Sequence, residues 1–252
     1  MMSAYKDIQR EIQSQASAFK QYIDGILAEC GASGFIDYVS SKTDIYIFSG
    51  VIRNYLKGYR EFRDIDFVTK ESIDISERML QGHSAVKNKF GGMKLRFNDV
   101  TIDVWSMDAT WGMMQQKKRR YTPNTLISTA FFNSSAIAFD YRRGRFVISD
   151  DFCNFYRNDI IDVVFPDNPI IGSCIINTMY YKNRFGCRIG KRLQKWIVNH
   201  YDAHYDFESV QNSRYGRVLY EDSIIKSFVE LCKKNQLHAF SYTIEVVDND
   251  CK

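Results

Sequence analysis

Between Ala4 and Cys30, the apolar residues Ile8, Ile12, Ala16, Phe19, Ile23 and Ile26 recur every three or four positions, which predicts one amphipathic helix. Gly31-Ala32-Ser33-Gly34 ends it. Asp44 to Phe48 (DIYIF) predicts a short strand running into Ser49-Gly50, Val51 to Leu56 a helix ending near Gly58, and Ile65 to Val68 a second strand. Ile73 to Leu80 predicts a further helix. Lys94 to Phe97 and Val100 to Trp105 flank the turn-forming pair Asn98-Asp99 and predict a β-hairpin. A second hairpin is predicted from Ala136 to Tyr141 and Arg145 to Ser149, around Arg142-Arg143-Gly144. From Asp159 the pattern turns helical, with Ile170 to Phe185, Ile189 to Tyr201 and Tyr220 to Lys234 as helices and Pro166 and Pro169 as punctuation. A mixed α/β part, residues 1–150, thus precedes a mostly helical part, residues 151–252. With no repeat or flexible linker between them, the two are expected to share an interface.

Composition narrows the class. At 252 residues, 45% hydrophobic and 25% charged, the chain suits a packed core and excludes a disordered or fibrous protein. No run approaches the ~20 apolar residues of a membrane helix, and the opening MMSAYKDIQREIQSQ is polar, so a cytoplasmic protein without membrane contact is expected. Six cysteines without a C-x-x-C pair predict buried, reduced thiols. The net charge of +4 permits a nucleic-acid partner without requiring one.

Candidate chemistry concentrates in Ser49 to Lys70. In Asp64-Ile65-Asp66-Phe67-Val68, strand alternation puts both carboxylates on one face and Ile65 and Phe67 on the other. Two acids so close repel each other, and a divalent cation relieves that. Asp103 alternates in the same way within Thr101-Ile102-Asp103-Val104-Trp105. If its strand pairs with that of Asp64 and Asp66, three carboxylates converge, a set able to hold two Mg²⁺ ions. Ser49-Gly50, between a strand and a helix, lets backbone N–H groups approach phosphate oxygens. Arg53, one turn on, could reach a triphosphate or pair with a strand carboxylate.

In this order the residues resemble the nucleotidyltransferase superfamily typified by DNA polymerase β, most closely the bacterial poly(A) polymerases and class II CCA-adding enzymes. That branch reads Gly-Gly-x-x-Arg-Asp, then Leu and Gly, then Asp-x-Asp; here stand Ser49-Gly50-Val51-Ile52-Arg53-Asn54, Leu56, Gly58 and Asp64-Ile65-Asp66. Arg119-Arg120-Tyr121-Thr122-Pro123-Asn124-Thr125 is similar to its Arg-Arg-Asp-Phe-Thr-x-Asn-Ala, and Asn183-Arg184-Phe185-Gly186-Cys187-Arg188-Ile189 to its Ala-Arg-Phe-Gly-Phe-Arg-Ile. The resemblance implies an α+β fold: a polymerase β-like palm with a small mixed sheet flanked by helices, followed by a helical neck. It implies Asp64, Asp66 and Asp103 as catalytic metal ligands for two Mg²⁺ ions. Ser49, Gly50, Arg53, Asn124, Arg119 and Arg120 would contact the nucleotide, ATP or another NTP. The acceptor would be RNA, such as a tRNA 3′ end. Departures are Ser49 and Asn54, and Cys174 and Asn177 where the family's base-selecting neck arginines would stand. With a short stretch beyond the neck, these argue against CCA addition itself. A stand-alone toxin or defence enzyme, a protein- or small-molecule-modifying transferase, and a catalytically silent nucleotide- or RNA-binding module are the alternatives.

Other signals are weaker. Lys117-Lys118-Arg119-Arg120 suits triphosphate or RNA backbone contacts, and Arg142, Arg143, Arg145, Arg184, Arg188, Lys191, Arg192 and Lys195 could extend a positive surface, although each alone suits a solvated face. Gly186 to Arg192 fails the P-loop spacing. His200 and His204 stand four apart with no accompanying metalloprotease motif.

Overall fold

The computed structural model describes residues 5–74, 84–87, 91–115, 120–168, 170–237 and 240. Three helices open the chain: α1 (Lys6–Ser14), α2 (Ala16–Cys30) and α3 (Ser33–Lys42). The run expected as one helix is therefore two, interrupted at Gln15. The break lets Ile8 and Ile12 of α1, and Phe19, Ile23 and Leu27 of α2, all reach the core. Leu27, not Ile26, completes the buried stripe. Gly31, at φ 82°, caps α2 in the left-handed conformation, and the Ala32 N–H reaches back to the Leu27 carbonyl at 2.8 Å. The chain then restarts as α3, which buries Phe35, Ile36 and Val39.

A seven-stranded sheet follows, in the order β3-β4-β5-β2-β1-β6-β7. Its strands are β1 (Ile45–Phe48), β2 (Ile65–Thr69), β3 (Ser84–Lys87), β4 (Met93–Phe97), β5 (Val100–Ser106), β6 (Ile137–Asp140) and β7 (Arg145–Ile148). Between them lie α4 (Gly50–Leu56), α5 (Trp111–Gln115) and α6 (Pro123–Ile127). Both expected hairpins form, β4–β5 and β6–β7, and Asn98 takes the turn conformation at φ 48° that its amide side chain tolerates. The pair β2–β5 is parallel and makes the sheet mixed. Of the helix expected over Ile73 to Leu80, residues 75–80 lie outside the described residues.

The carboxy-terminal half comprises α7 (Asp150–Asn158), α8 (Ile171–Phe185), α9 (Lys191–His200), α10 (Phe207–Tyr215) and α11 (Asp222–Lys233), with the short parallel pair β8 (Ile160–Ile161) and β9 (Arg188–Ile189). One apolar cluster runs from Ile8 through Ile65, Phe67, Ile102 and Val104 to Phe228 and Leu237. Complete burial of a side chain such as Phe67 stabilises the fold by about 1.5–3 kcal/mol. Among the described residues the opposite sheet face carries a small cluster, with Tyr46, Val68, Met107, Met113 and Leu126, edged by Phe48 and Trp105. Cys30, Cys153, Cys174, Cys187 and Cys232 are buried free thiols, as expected; Cys251 lies outside the described residues. Among the described residues no helix is long and apolar enough to cross a membrane.

Candidate active site

The acids sit on the thinly covered face of the sheet. Alternation sends Ile65, Phe67, Ile102 and Val104 into the main core, so Asp66 and Asp103 project the other way. Parallel pairing of β2 with β5 sets Asp66 directly opposite Asp103. A row therefore crosses four strands: Phe48, Asp66, Asp103 and Lys94. Asp64 lies one pleat before Asp66, and Ser49 follows Phe48, so the turn and the carboxylates share one end of the sheet.

Electrostatics follow from that crowding. Burial, and then the charges of Asp64 and Asp103, push the Asp66 carboxyl well above the usual carboxylate range. Burial also raises Asp103, with Lys94 opposing and Asp64 adding to the rise. Lys94 Nζ stands 3.5 Å from the Asp103 carboxylate, and Arg63 Nη2 2.7 Å from that of Asp64. Among the described residues no ion pair reaches Asp66.

A cavity of about 140 Å³ opens beside these acids. Ser49, Gly50, Arg53 and Arg63 line one side; α8 contributes Tyr180, Tyr181 and Arg184, and α10 contributes Arg214 and Tyr215. Ser49 holds φ 64° and ψ −103°, a conformation that a side chain rarely adopts, and donates its own N–H to the Ile137 carbonyl at 3.2 Å. A phosphate at the turn would therefore be met by the N–H groups of Gly50 and Val51, in the first turn of α4, and by the Ser49 hydroxyl. No atom lies within 4 Å of a Cβ built on Gly50, so the space beside it is open.

Arg53 is 6% exposed and lines the cavity, and among the described residues it forms no ion pair with a strand carboxylate. Its guanidinium donates to Asn54 Oδ1 at 3.2 and 3.1 Å and lies 4.3 Å from the Tyr181 ring centre and 5.0 Å from that of Phe185. Burial alone would raise the Tyr181 phenol, but Arg53, Arg214 and Arg63 together outweigh it and hold the phenol below its ordinary value. Arg184, expected on a positive surface, turns inward to Glu61 at 3.1 Å. Asn124 is exposed on α6, and Arg120 is exposed before it; neither lines the cavity. Arg119, with Lys117 and Lys118, lies outside the described residues. Cys174 and Asn177 are buried in α8, where Asn177 accepts a 2.6 Å hydrogen bond from the Tyr215 hydroxyl. Arg142 and Arg143 pair with Asp44, and Arg192 with Asp151 and Asp162, so these cations are already engaged. His200 ends α9 stacked on Trp196, and His204 lies beyond the helix.

A larger cavity, about 1000 Å³, adjoins the first and shares Arg63, Asp64 and Arg214 with it. Lys94, Arg96 and Thr101 of the β4–β5 hairpin form one wall; Ser173, Ser209 and Ser213 stand on α8 and α10. The sequence offered no signal for Arg214 or Tyr181, whose places depend on helix packing. Arg63 and Lys94 were legible only as a neighbour of Asp64 and a hairpin cation.

The carboxylates present hard oxygen donors, the set that suits Mg²⁺ or Mn²⁺. As they stand, no three His, Cys, Asp or Glu side chains among the described residues form a metal-holding group, and Asp64 and Asp103 each stand beside a protein cation. Asp66, crowded by acids, is the group a divalent ion would relieve most.

No family model matches the chain, and no curated protein matches it. Solved structures do. A tRNA-processing enzyme in complex superposes with a TM-score of 0.55 at 15% identity, covering 82% of this chain and 58% of that one. An apo CCA-adding enzyme gives 0.55 at 14%, with 90% and 57% covered, and a CCA-adding enzyme complexed with ATP gives 0.53 at 16%, with 85% and 53%. The chain thus spans somewhat over half the length of these structures. At such identity the likeness is one of architecture: this chain shares the fold of these CCA-adding and tRNA-processing enzymes.

Proposed function

We propose that this chain is a metal-dependent nucleotidyltransferase that transfers NMP from an NTP to a hydroxyl at an RNA end. The observation that carries the proposal is the register of Asp66 against Asp103, with Asp64 one pleat away and the Ser49–Gly50 turn at the same end of the sheet. In the smaller cavity, Arg53, Arg63, Arg184 and Arg214 surround a space suited to a triphosphate, whose charge they would match. Asp64, Asp66 and Asp103 would hold two Mg²⁺ ions, which when bound supply positive charge at the reacting phosphate. The acceptor oxygen attacks the α-phosphorus and forms the new P–O bond. The α–β phosphoanhydride bond breaks, and pyrophosphate leaves with the electron pair. Asp103 takes the hydroxyl proton. The chain's remaining contribution is positioning, with Ser49 and Gly50 on the outer phosphates and Asn124, Arg119 and Arg120 as candidate contacts to sugar or phosphate.

The larger cavity supports a polyanionic acceptor, since Arg63, Lys94, Arg96 and Arg214 line it and it meets the smaller one at Arg63, Asp64 and Arg214. Cys174 and Asn177 favour a second reading, a stand-alone enzyme modifying tRNA, a protein or a small molecule, because α8 presents no arginine there to select a base. Incubation with each labelled NTP, Mg²⁺ and either total RNA or lysate separates these readings. Ribonuclease-sensitive label that Asp64→Ala abolishes is expected. Label in protein or small molecules would favour the second reading, and NTP binding without pyrophosphate release would contradict both in favour of a silent binding module.

A further inference from the structure

The Arg63 guanidinium donates from Nε at 2.8 Å to one oxygen of Asp64, and its Nη2 stands 2.7 Å from the same oxygen. Among the described residues this is the guanidinium's only hydrogen bond. Its side chain is 42% exposed while that of Asp64 is 12% exposed, so the arginine is the partner open to solvent. Arg63 lines both cavities and stands where they join. A cation bound at Asp64 and Asp66 would share the Asp64 carboxylate with Arg63, and two positive groups at one carboxylate repel each other.

We propose that Arg63 is a resident counter-ion that keeps Asp64 from divalent metal until a triphosphate draws the guanidinium away. The proposal rests on the reading of Asp64 and Asp66 as metal ligands. A guanidinium prefers a phosphate's paired oxygens to a single carboxylate oxygen, so an arriving triphosphate offers Arg63 a better partner and frees Asp64 in the same movement. Metal and nucleotide then bind with positive coupling, and the coupling is reciprocal. Arg63 acts here as a positioning residue, through Asp64. The same arrangement keeps the acids neutralised in the empty protein, where Lys94 serves Asp103 in like manner.

The test is Mn²⁺ binding to the nucleotide-free protein, followed by electron paramagnetic resonance, with unfolding curves to verify that each variant is folded. Arg63→Gln should bind Mn²⁺ about tenfold more tightly than the unaltered protein, Arg63→Lys should stay close to it, and Asp64→Asn added to Arg63→Gln should erase the gain. Metal-free binding of inorganic triphosphate in EDTA should weaken several-fold in Arg63→Gln. Equal or weaker Mn²⁺ binding by Arg63→Gln, while Asp66→Asn still lowers it, overturns the counter-ion role alone. Mn²⁺ binding that Asp66→Asn leaves unchanged overturns the metal reading, and this proposal with it. Unaltered triphosphate affinity overturns the transfer of Arg63 to phosphate.

Discussion

Two carboxylates of the same sheet, the buried Asp140 and the half-buried Asp66, show opposite solutions to one problem. Asp140, on β6, has a side chain only 2% exposed, yet it accepts the Arg143 backbone N–H and Arg143 Nη1, each at 3.0 Å. The same hairpin brings Arg142 and Arg143 to Asp44, so charge is settled within one turn of chain. Asp66, on β2, is raised more by Asp64 and Asp103 than it is lowered by Arg63 and Arg214, and Arg63 is paired with Asp64. A buried carboxylate satisfied by its own hairpin maintains the fold; one surrounded by acids costs stability and points to a charge from outside.

The comparison is broken most easily by exchanging each acid for its amide. Asp66→Asn should lower transfer by about a thousandfold or more, the scale of losing several kcal/mol of transition-state stabilisation, while stability in EDTA holds or improves. Asp140→Asn should do the reverse, lowering stability in urea by about 1–2 kcal/mol and leaving the rate per folded molecule near its original value. If Asp140→Asn removed activity without destabilising, the contrast would fail.

A smaller effect lies in pH. Because the folded protein holds Asp66 above its unfolded value, the protonated form is favoured in the fold. Its contribution is full below the unfolded carboxylate value of ~4 and is lost as pH rises through the higher folded value. In EDTA, the stability of the unaltered protein minus that of Asp66→Asn should therefore fall with rising pH, and Mn²⁺ should reverse the trend. A difference flat across that range would show that Asp66 carries no such burden. The smallest effect belongs to the turn. Ser49→Gly should relieve the φ of 64° and raise stability by about 1 kcal/mol, while a lost hydroxyl contact to phosphate would raise KM for NTP with kcat little changed.

Much of this contrast was written into local pattern. Period-two alternation placed Asp64, Asp66 and Asp103 opposite Ile65, Phe67, Ile102 and Val104, and Asn98-Asp99 set the hairpin that pairs β5 with β4. The register of Asp66 with Asp103 needed the structure, since a slip of one residue would turn Asp103 to the other face. The arginines were legible as charges but not as partners. Arg142, Arg143 and Arg192 look like surface cations in sequence and are ion-paired, and Arg184 is ion-paired too, with Glu61 in the lining of the cavity. Arg214 reaches the site from α10, about 150 residues beyond Asp64, through packing that no local pattern encodes. The restart of the chain as α3 was hidden by Gly31 and Gly34, which punctuate a helix in sequence although only Gly31 takes a left-handed φ.

Anomalous diffraction from crystals soaked in Mn²⁺ and an NTP tests the central claim most directly. The account predicts an anomalous peak within coordinating distance, about 2.1 Å, of the Asp66 carboxylate and beside Asp64 and Asp103, with Arg63 displaced from Asp64. Mn²⁺ bound elsewhere, with Asp66 uncoordinated and Arg63 still on Asp64, would contradict it.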